Sequence, residues 1–173
     1  MSSADSTTAR VSATPRGTSG RLAKGAGMAG VAALVLAGAF GLLGPRTSTV
    51  EASGGGYDLT VEHASITRAG QPAPMHVRIE SADGFAGPVQ VSVCEGLFDH
   101  FDFQNWYPNP SAETASPGLV LYEFDPPSGS VLDVSLDART APGQLGGREA
   151  CRIAVLKDDE PAVSVAFTTW VLP

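Results

Sequence analysis

The sequence predicts an all-β domain, an antiparallel sandwich of about seven short strands, preceded by one transmembrane helix and a disordered N-terminal tail. Three observations lead to this prediction. After residue 57, apolar residues recur at every second position in short runs that turn residues separate. Residues 25–45 form one long run without a charged residue. Basic and acidic residues are divided between the two sides of that run.

The charge distribution separates a basic start from an acidic bulk. Residues 1–46 carry five basic residues and one acid, whereas the other 127 residues carry six bases and seventeen acids. The net charge of −7 at pH 7 argues against a nucleic acid as partner. Residues 1–24 contain nine Ser or Thr and few large apolar side chains, so they are predicted to form a disordered cytoplasmic tail.

Residues 25–45 are predicted to form a transmembrane signal-anchor helix. A helix of this length spans about 31 Å, close to the hydrocarbon thickness of a bilayer. Four basic residues precede the run and one follows it. The positive-inside rule therefore places the N-terminus in the cytoplasm and the C-terminal domain outside a single-pass cell-membrane protein. Two alternatives are a signal peptide cleaved after Ala39, at the small-x-small sequence 37–39, and a soluble Gly/Ala-rich linker.

Four small residues recur at every fourth position of this helix: Ala29, Ala33, Ala37 and Gly41. Such a stripe lets two helices approach closely, so it is a candidate surface for a weak homodimer. Six of the 21 residues are Gly and six are Ala, and a segment of this composition also produces small-residue stripes by chance.

Beyond the helix, residues 46–56 are predicted to be a flexible linker because they end in Ser-Gly-Gly-Gly. Residues 57–173 are predicted to form the β domain. A change of alternation at His63 indicates a bulge or a strand that passes between sheets. Seven short strands in roughly 115 residues are typical of an immunoglobulin-like sandwich, with a small barrel as the alternative. The predicted strands are 59–66, 75–80, 89–93, 119–124, 132–136, 151–155 and 163–167.

Residues 25–173 resemble a family of uncharacterised single-pass membrane proteins of high-GC Gram-positive bacteria with an immunoglobulin-like exterior domain. The resemblance rests on the segment 121–127 (LYEFDPP) with Gly129 after it, on the strand 132–138, and on the closing segment 169–173 (TWVLP). These are turn and strand motifs. The resemblance therefore implies a fold and a topology, and it implies no catalytic or binding residue.

Cys94 and Cys151 are predicted to form a disulfide. Cys94 closes one predicted strand and Cys151 opens another, and these ends meet if the two strands are antiparallel neighbours. Closing a loop of this length contributes about 4 kcal/mol on the loop-entropy model, and the bond persists outside the cytoplasm. Cys94 is out of phase with the buried valines, so the pairing requires a bulge near Glu95 and Gly96.

The predicted loop 97–110 is rich in aromatic residues: Phe98, Phe101, Phe103, Trp106 and Tyr107. Two roles remain open, since such rings can cap one end of a sandwich or anchor a partner. The spacing predicts that Phe101 and Phe103 are buried. The other three rings are predicted to be at least partly exposed, and they are the candidate partner-binding residues.

The sequence contains no pattern that indicates catalysis. It has no Gly-x-Ser-x-Gly and no phosphate-binding glycine loop. Cys94 and His100 lack the following Met of a blue-copper site, and the acids of 95–102 lack the alternation of a calcium loop. We therefore expect no enzyme, no cofactor and no metal. The expected function is a non-catalytic, membrane-tethered module that binds or supports another cell-envelope component, with an envelope or membrane protein as partner. The alternative is a tethered envelope enzyme or a redox or metal protein.

Overall fold

Alternating apolar residues produce a mostly β structure, which follows one apolar helix in the chain. The computed structural model describes residues 18–41, 44–143 and 146–172, and the chain divides into two compact units, Met1–Leu43 and Gly44–Pro173. The elements are α1 (Thr18–Ala39), β1 (Arg46–Gly54), β2 (Tyr57–Arg68), β3 (Met75–Ser81), β4 (Val89–Cys94), α2 (Gly96–His100), β5 (Phe101–Tyr107), β6 (Ala112–Ser116), β7 (Leu119–Phe124), β8 (Val131–Thr140), β9 (Gly147–Lys157) and β10 (Glu160–Leu172).

Helix α1 is long and apolar enough to cross a membrane. Its segment Leu22–Ala39 has 18 residues and a mean hydropathy of 1.6, and none of it is buried; an N-terminal signal sequence has the same properties. The helix begins at Thr18, seven residues before the predicted start, because Arg21 and Lys24 interrupt the apolar run without interrupting the helix. Residues 1–17 of the predicted disordered tail lie outside the described residues.

The predicted stripe of four small residues is wrong at Gly41. The helix ends at Ala39, and Gly41 follows it with φ of +66°. A glycine in this left-handed conformation ends a helix, since it carries no Cβ to clash with the backbone. Ala29, Ala33 and Ala37 remain on one face of α1, and Gly41 is not part of that face.

The strands of the second unit form one curled, mixed sheet. Its order is β5-β8-β3-β2-β10-β9-β4-β7-β6, and β1 pairs with β2. The described pairs are antiparallel except β2 and β10, which are parallel over Ile66–Trp170, Thr67–Val171 and Arg68–Leu172. The prediction of antiparallel pairing is therefore wrong at this one pair.

Strand β2 connects the two halves of the sheet. Its residues 57–62 pair with β3, whereas residues 66–68 pair with β10. Between these two pairings His63 and Ala64 are both buried, although neighbours in a regular strand face opposite sides. The change of alternation that the sequence shows at His63 marks this passage from one half to the other.

The core lies between the two halves. Inward-facing residues alternate with outward-facing ones in β3, β4, β8 and β10, and the side chains of both halves belong to one hydrophobic cluster. Strands from opposite parts of the strand order also meet. The ring centroid of Trp106 on β5, the first strand of the order, lies 4.7 Å from that of Tyr122 on β7, the last strand but one. The sheet therefore curls until its ends cover the core.

The prediction of a flexible linker over 46–56 is wrong, because residues 46–54 form strand β1. This strand pairs with β2 along its whole length, and its Val50 and Ala52 pack against the core. Gly55 and Gly56 have φ of +58° and +89°, as the two-residue turn of a hairpin requires. The glycines that suggested a tether thus form the turn between β1 and β2.

Strands β5 and β6 were also not among the seven predicted. Every residue of β6 is exposed, so the sequence there carries no apolar alternation. Strand β5 occupies the segment expected to be a loop, and the five-residue helix α2 precedes it.

The β1–β2 turn approaches β10 so closely that the first glycine of the turn admits no side chain. A Cβ on Gly55 would lie 2.6 Å from the Ala162 Cβ, whereas a Cβ on Gly56 would meet no atom within 4 Å. Both positions have positive φ, and this backbone strain costs about 1–2 kcal/mol for an alanine.

We therefore expect Gly55→Ala to lower the free energy of unfolding more than Gly56→Ala does. The strain is common to both variants, and only the first adds a clash. Chemical denaturation of the full chain in detergent measures the difference. Ala162→Gly should recover part of the loss in Gly55→Ala and none of the loss in Gly56→Ala. Equal losses in the two single variants would refute the close approach.

Candidate interaction surface

The aromatic segment is held by its pairing with β8. Phe101, Phe103 and Trp106 are opposite Thr140, Ala138 and Leu136, which face inward, and the register shifts between Phe103 and Asn105. This bulge adds one residue to β5 and returns Trp106 to the inward side. Asp102, Asn105 and Tyr107 are opposite the outward residues Arg139, Asp137 and Ser135.

The bulge decides which of the predicted binding residues are available. Phe101 is buried and Phe103 half-buried, while Phe98 and Trp106 are half-buried and pack against the core. Tyr107 is 77% exposed. The segment therefore mainly caps the core, and among the three candidate residues Tyr107 is the one that presents its ring to solvent.

The rings of this cap form a continuous cluster. The ring centroids of Phe98 and Phe103 are 4.5 Å apart. The Trp106 ring lies beside Tyr122, and its centroid is 5.9 Å from that of Phe124. Burial first, and then the nearby Glu113 carboxylate, raise the pKa of Tyr122 to about 12 against the lowering effect of a hydrogen bond with Trp106. Tyr122 is thus a neutral phenol inside the cluster at neutral pH.

An open groove of about 300 Å³ lies beside Tyr107, on the outward face of β3, β8 and β5. His76 and Ser135 face each other across β3 and β8, with 3.0 Å between the His76 Nδ1 and Ser135 Oγ atoms. The residues that line the groove are Pro74, His76, Asn105, Tyr107, Ser135, Leu136 and Asp137. Imidazole, hydroxyl, amide and carboxylate groups next to an exposed ring can hydrogen-bond and pack against a partner.

Sequence reasoning identified Tyr107 but missed the other polar groups of the groove. His76 and Ser135 occupy outward positions of two predicted strands, and Asp137 continues the second of them, so the alternation does assign their face. What the sequence lacks is the register that aligns β3 with β8. Further along the same face, Arg78 makes ion pairs with Asp133 at 3.0 Å and with Glu80 at 2.7 Å. These pairs are exposed, so solvent screens them.

The predicted disulfide between Cys94 and Cys151 is present, with 5.4 Å between the Cα atoms and a sequence separation of 57. Strands β4 and β9 are antiparallel neighbours, and their ladder ends at Val93 opposite Ile153. The expected bulge is not needed, because β4 ends at Cys94 and α2 begins at Gly96. Near the bond, the His100 Nε2 atom lies 3.3 Å from a Glu149 carboxylate oxygen. This contact joins α2 to β9, whereas the disulfide joins β9 to the last residue of β4, just before α2.

His63 is a buried titratable group where β2 changes partners. It is 4% exposed, its ring stacks on Phe167 at 4.2 Å, and its Nδ1 atom lies 3.2 Å from the Ala64 carbonyl oxygen. Burial lowers the pKa of His63, and the bond to the Ala64 carbonyl opposes this change. A cavity of about 20 Å³ adjoins the ring, and its other lining residues carry no charge.

Neither the residues nor the comparisons assign an activity to this surface. Within 18–41, 44–143 and 146–172, no three His, Cys, Asp or Glu side chains come together as metal ligands. No family model and no curated protein matches the chain. Among solved structures, a β-glucosidase from Listeria innocua in complex with glucose is similar, with 11% identity and a TM-score of 0.35. The match covers 75% of this chain and 16% of that enzyme, and a likeness at this TM-score supports no conclusion about function.

Trp106 and Tyr107 are neighbours in sequence that we expect to differ in stability when truncated. Trp106→Ala removes a ring packed between β5 and β7, and such cavities cost about 3–5 kcal/mol. Tyr107→Ala removes a solvent-exposed ring and should change the free energy of unfolding by about 0.5 kcal/mol or less. Denaturation of both variants in detergent tests this. A comparable loss in Tyr107→Ala would show that its ring is part of the cap.

Titration of His63 should lower the free energy of unfolding as the pH falls. Its pKa in the folded state is below the unfolded value of 6.5, so the unfolded chain binds a proton first as the pH falls. Well above pH 6.5, His63 adds no pH dependence to the free energy of unfolding. Below pH 6.5, it lowers the free energy of unfolding as the pH falls, with a slope of at most about 1.4 kcal/mol per pH unit.

The measurement is the free energy of unfolding at neutral pH and at successive lower values, for the wild type and two glutamine variants. His63→Gln should depend less on pH than the wild type. His76→Gln, at an exposed position of β3, controls for the replacement of a histidine by glutamine. If His63→Gln proves too unstable, the His63 imidazole resonance in the wild type reports the same pKa by NMR, and a value at or above 6.5 would contradict the prediction.

Proposed function

We propose that this chain is a single-pass membrane protein whose β domain lies outside the cell and acts as a non-catalytic module that binds another cell-envelope component. The observation that carries the proposal is a disulfide-linked β domain behind an apolar, unburied helix. Disulfides persist in exterior compartments and are rare in the cytoplasm. The bond therefore supports an exterior location for the unit that contains Cys94 and Cys151.

The charges around α1 support the same orientation. Four basic residues precede the apolar run, at Arg10, Arg16, Arg21 and Lys24, and Arg46 alone follows it closely. An excess of basic residues on one side of a spanning helix keeps that side in the cytoplasm. In this proposal α1 acts as an uncleaved anchor, and the N-terminal tail stays inside the cell.

The strand arrangement supports an immunoglobulin-like sandwich for the exterior domain. The two halves of the curled sheet enclose one core, and β2 pairs first with β3 and then, in parallel, with β10. An early strand that divides itself between two otherwise antiparallel sheets is compatible with sandwich packing. In this proposal β2, β3, β8 and β5 form one layer, and β10, β9, β4, β7 and β6 form the other.

The groove beside Tyr107 is the surface we propose for partner binding. Tyr107 is a large exposed apolar side chain, and few others exist among the described residues of the β domain. Tyrosine is enriched among residues that dominate protein interfaces, because its ring buries a large area at a small cost in conformational entropy. The surrounding His76, Ser135 and Asp137 give the polar rim that accompanies such a residue.

Labelling of single cysteines in intact cells tests the topology. A cysteine introduced at Ser53, which is exposed on β1, should react with a membrane-impermeant thiol reagent, and one at Ser3 should not react until the membrane is permeabilised. Reaction at position 3 alone would reverse the orientation. A mature chain that starts at Phe40 would replace the anchor by a cleaved signal peptide.

Purification from detergent-solubilised membranes tests binding. A stoichiometric partner should accompany the wild type, and Tyr107→Ala should weaken its association by roughly 30-fold, which corresponds to the 2 kcal/mol typical of a hot-spot residue. Leu119→Ala is the matched control, because it truncates another exposed apolar side chain, on β7. A partner that remains bound to Tyr107→Ala as tightly as to the wild type would exclude the groove as its site.

A further inference from the structure

Strand ends and turns of the β domain form an open pocket of about 370 Å³. Its walls come from the start of β2, from the segment 85–88 before β4, from the start of β4 and from the turn between β9 and β10. This volume lies within the range of small-ligand sites in proteins. The pocket shares no residue with the groove beside Tyr107.

Two aromatic rings form one wall of the pocket. The ring centroids of Tyr57 and Phe85 are 6.1 Å apart, and the ring planes make an angle of 21°. Both side chains are half-buried and pack against the core. Their positions are therefore fixed by the fold, while part of each ring remains accessible from the pocket.

The other walls carry hydrogen-bonding groups of both charges. Lys157, Asp158 and Asp159 line the pocket together with the amide of Gln90. The three charged residues are exposed. Within residues 44–143 and 146–172, none of these three side chains takes part in an ion pair. An ammonium, two carboxylates and an amide thus offer both donors and acceptors to a ligand.

The turn between β9 and β10 places the two carboxylates. Lys157 is paired with Glu160, so Asp158 and Asp159 are the two central residues of a hairpin turn. Their φ angles are +55° and +63°. Such a turn favours glycine at its second central position, because glycine adopts a positive φ without strain. Asp159 occupies that position, so a glycine there would remove the carboxylate and keep the turn.

We propose that this pocket binds a neutral saccharide of the cell envelope. A sugar hydroxyl both donates and accepts hydrogen bonds, so it can pair with the ammonium, the amide and the carboxylates alike. An anion would meet Asp158 and Asp159, and a cation would meet Lys157. The C–H face of a sugar ring can pack on the aromatic wall, since the faces of aromatic rings are apolar and carry partial negative charge. That the saccharide belongs to the envelope rests on the proposed exterior location of the β domain.

Titration calorimetry of the full chain, in a detergent without a sugar headgroup, tests the inference. The probes are neutral trisaccharides of glucose, of mannose and of N-acetylglucosamine. At least one of them should bind with a Kd of about 1 mM or lower. Absence of binding by all three at about 10 mM, well above that Kd, would overturn the proposal.

Variants locate the site. Asp159→Gly should weaken binding about tenfold, the effect of losing a hydrogen bond to a charged group. It should not lower the free energy of unfolding, because the turn favours glycine. Phe85→Leu keeps an apolar side chain against the core and should weaken binding about fivefold by removing the ring. The matched control is Asp83→Gly, the same change at an exposed residue that does not line the pocket, and it should bind like the wild type.

Three further outcomes would overturn the proposal. The first is binding of a trisaccharide that Asp159→Gly and Phe85→Leu both leave at the wild-type affinity. The second is a trisaccharide that Tyr107→Ala no longer binds and Asp159→Gly still does, which would place the ligand in the groove. The third is tighter binding of a charged probe, inorganic phosphate or spermidine, with the same dependence on Asp159. The proposed function is tested separately by the partner that co-purifies through the groove, so each proposal can fail without the other.

Discussion

Hydrogen bonds of buried threonines hold β2 where it passes between the halves of the sheet. The Thr169 hydroxyl donates to the Ala64 carbonyl oxygen at 2.7 Å, and the hydroxyls of Thr67 and Thr140 are 3.1 Å apart. All three threonines are at most 2% exposed. A buried hydroxyl without a partner costs free energy, so these bonds constrain β2 to lie simultaneously beside β10 and the end of β8. The pairing of β1 and the position of His63 both depend on that placement.

The sequence predicts features that follow from the alternation of residues within one strand. It does not predict features that depend on the register between that strand and its neighbour. The inward residues of β3, β4, β8 and β10 follow from alternation alone, and the disulfide follows from cysteines at matching strand ends. The orientation of Trp106 does not, because the bulge in β5 is visible only in its register with β8. Strand β6 has no buried residue, so no apolar alternation indicates it. A run of glycines such as the one at the end of β1 is typical of a hairpin turn and of a flexible tether alike. For the same reason the sequence gives Tyr107 as a candidate but not the groove that His76 and Ser135 complete.

The outward face with the groove combines an exposed ring with hydrogen-bonding groups. Further along that face lies an ion-paired arginine, Arg78, whose charge Asp133 and Glu80 balance.

The parallel contact between β2 and β10 has a consequence for the biogenesis of the protein. Thr169 and Ala64 are 105 positions apart, so the ribosome completes nearly the whole β domain before the bond that closes it can form. Contacts this distant delay folding until the later strand is available. In a nascent chain that lacks β10, the end of β2 around Thr67 has no parallel partner, and the core beside it is uncovered.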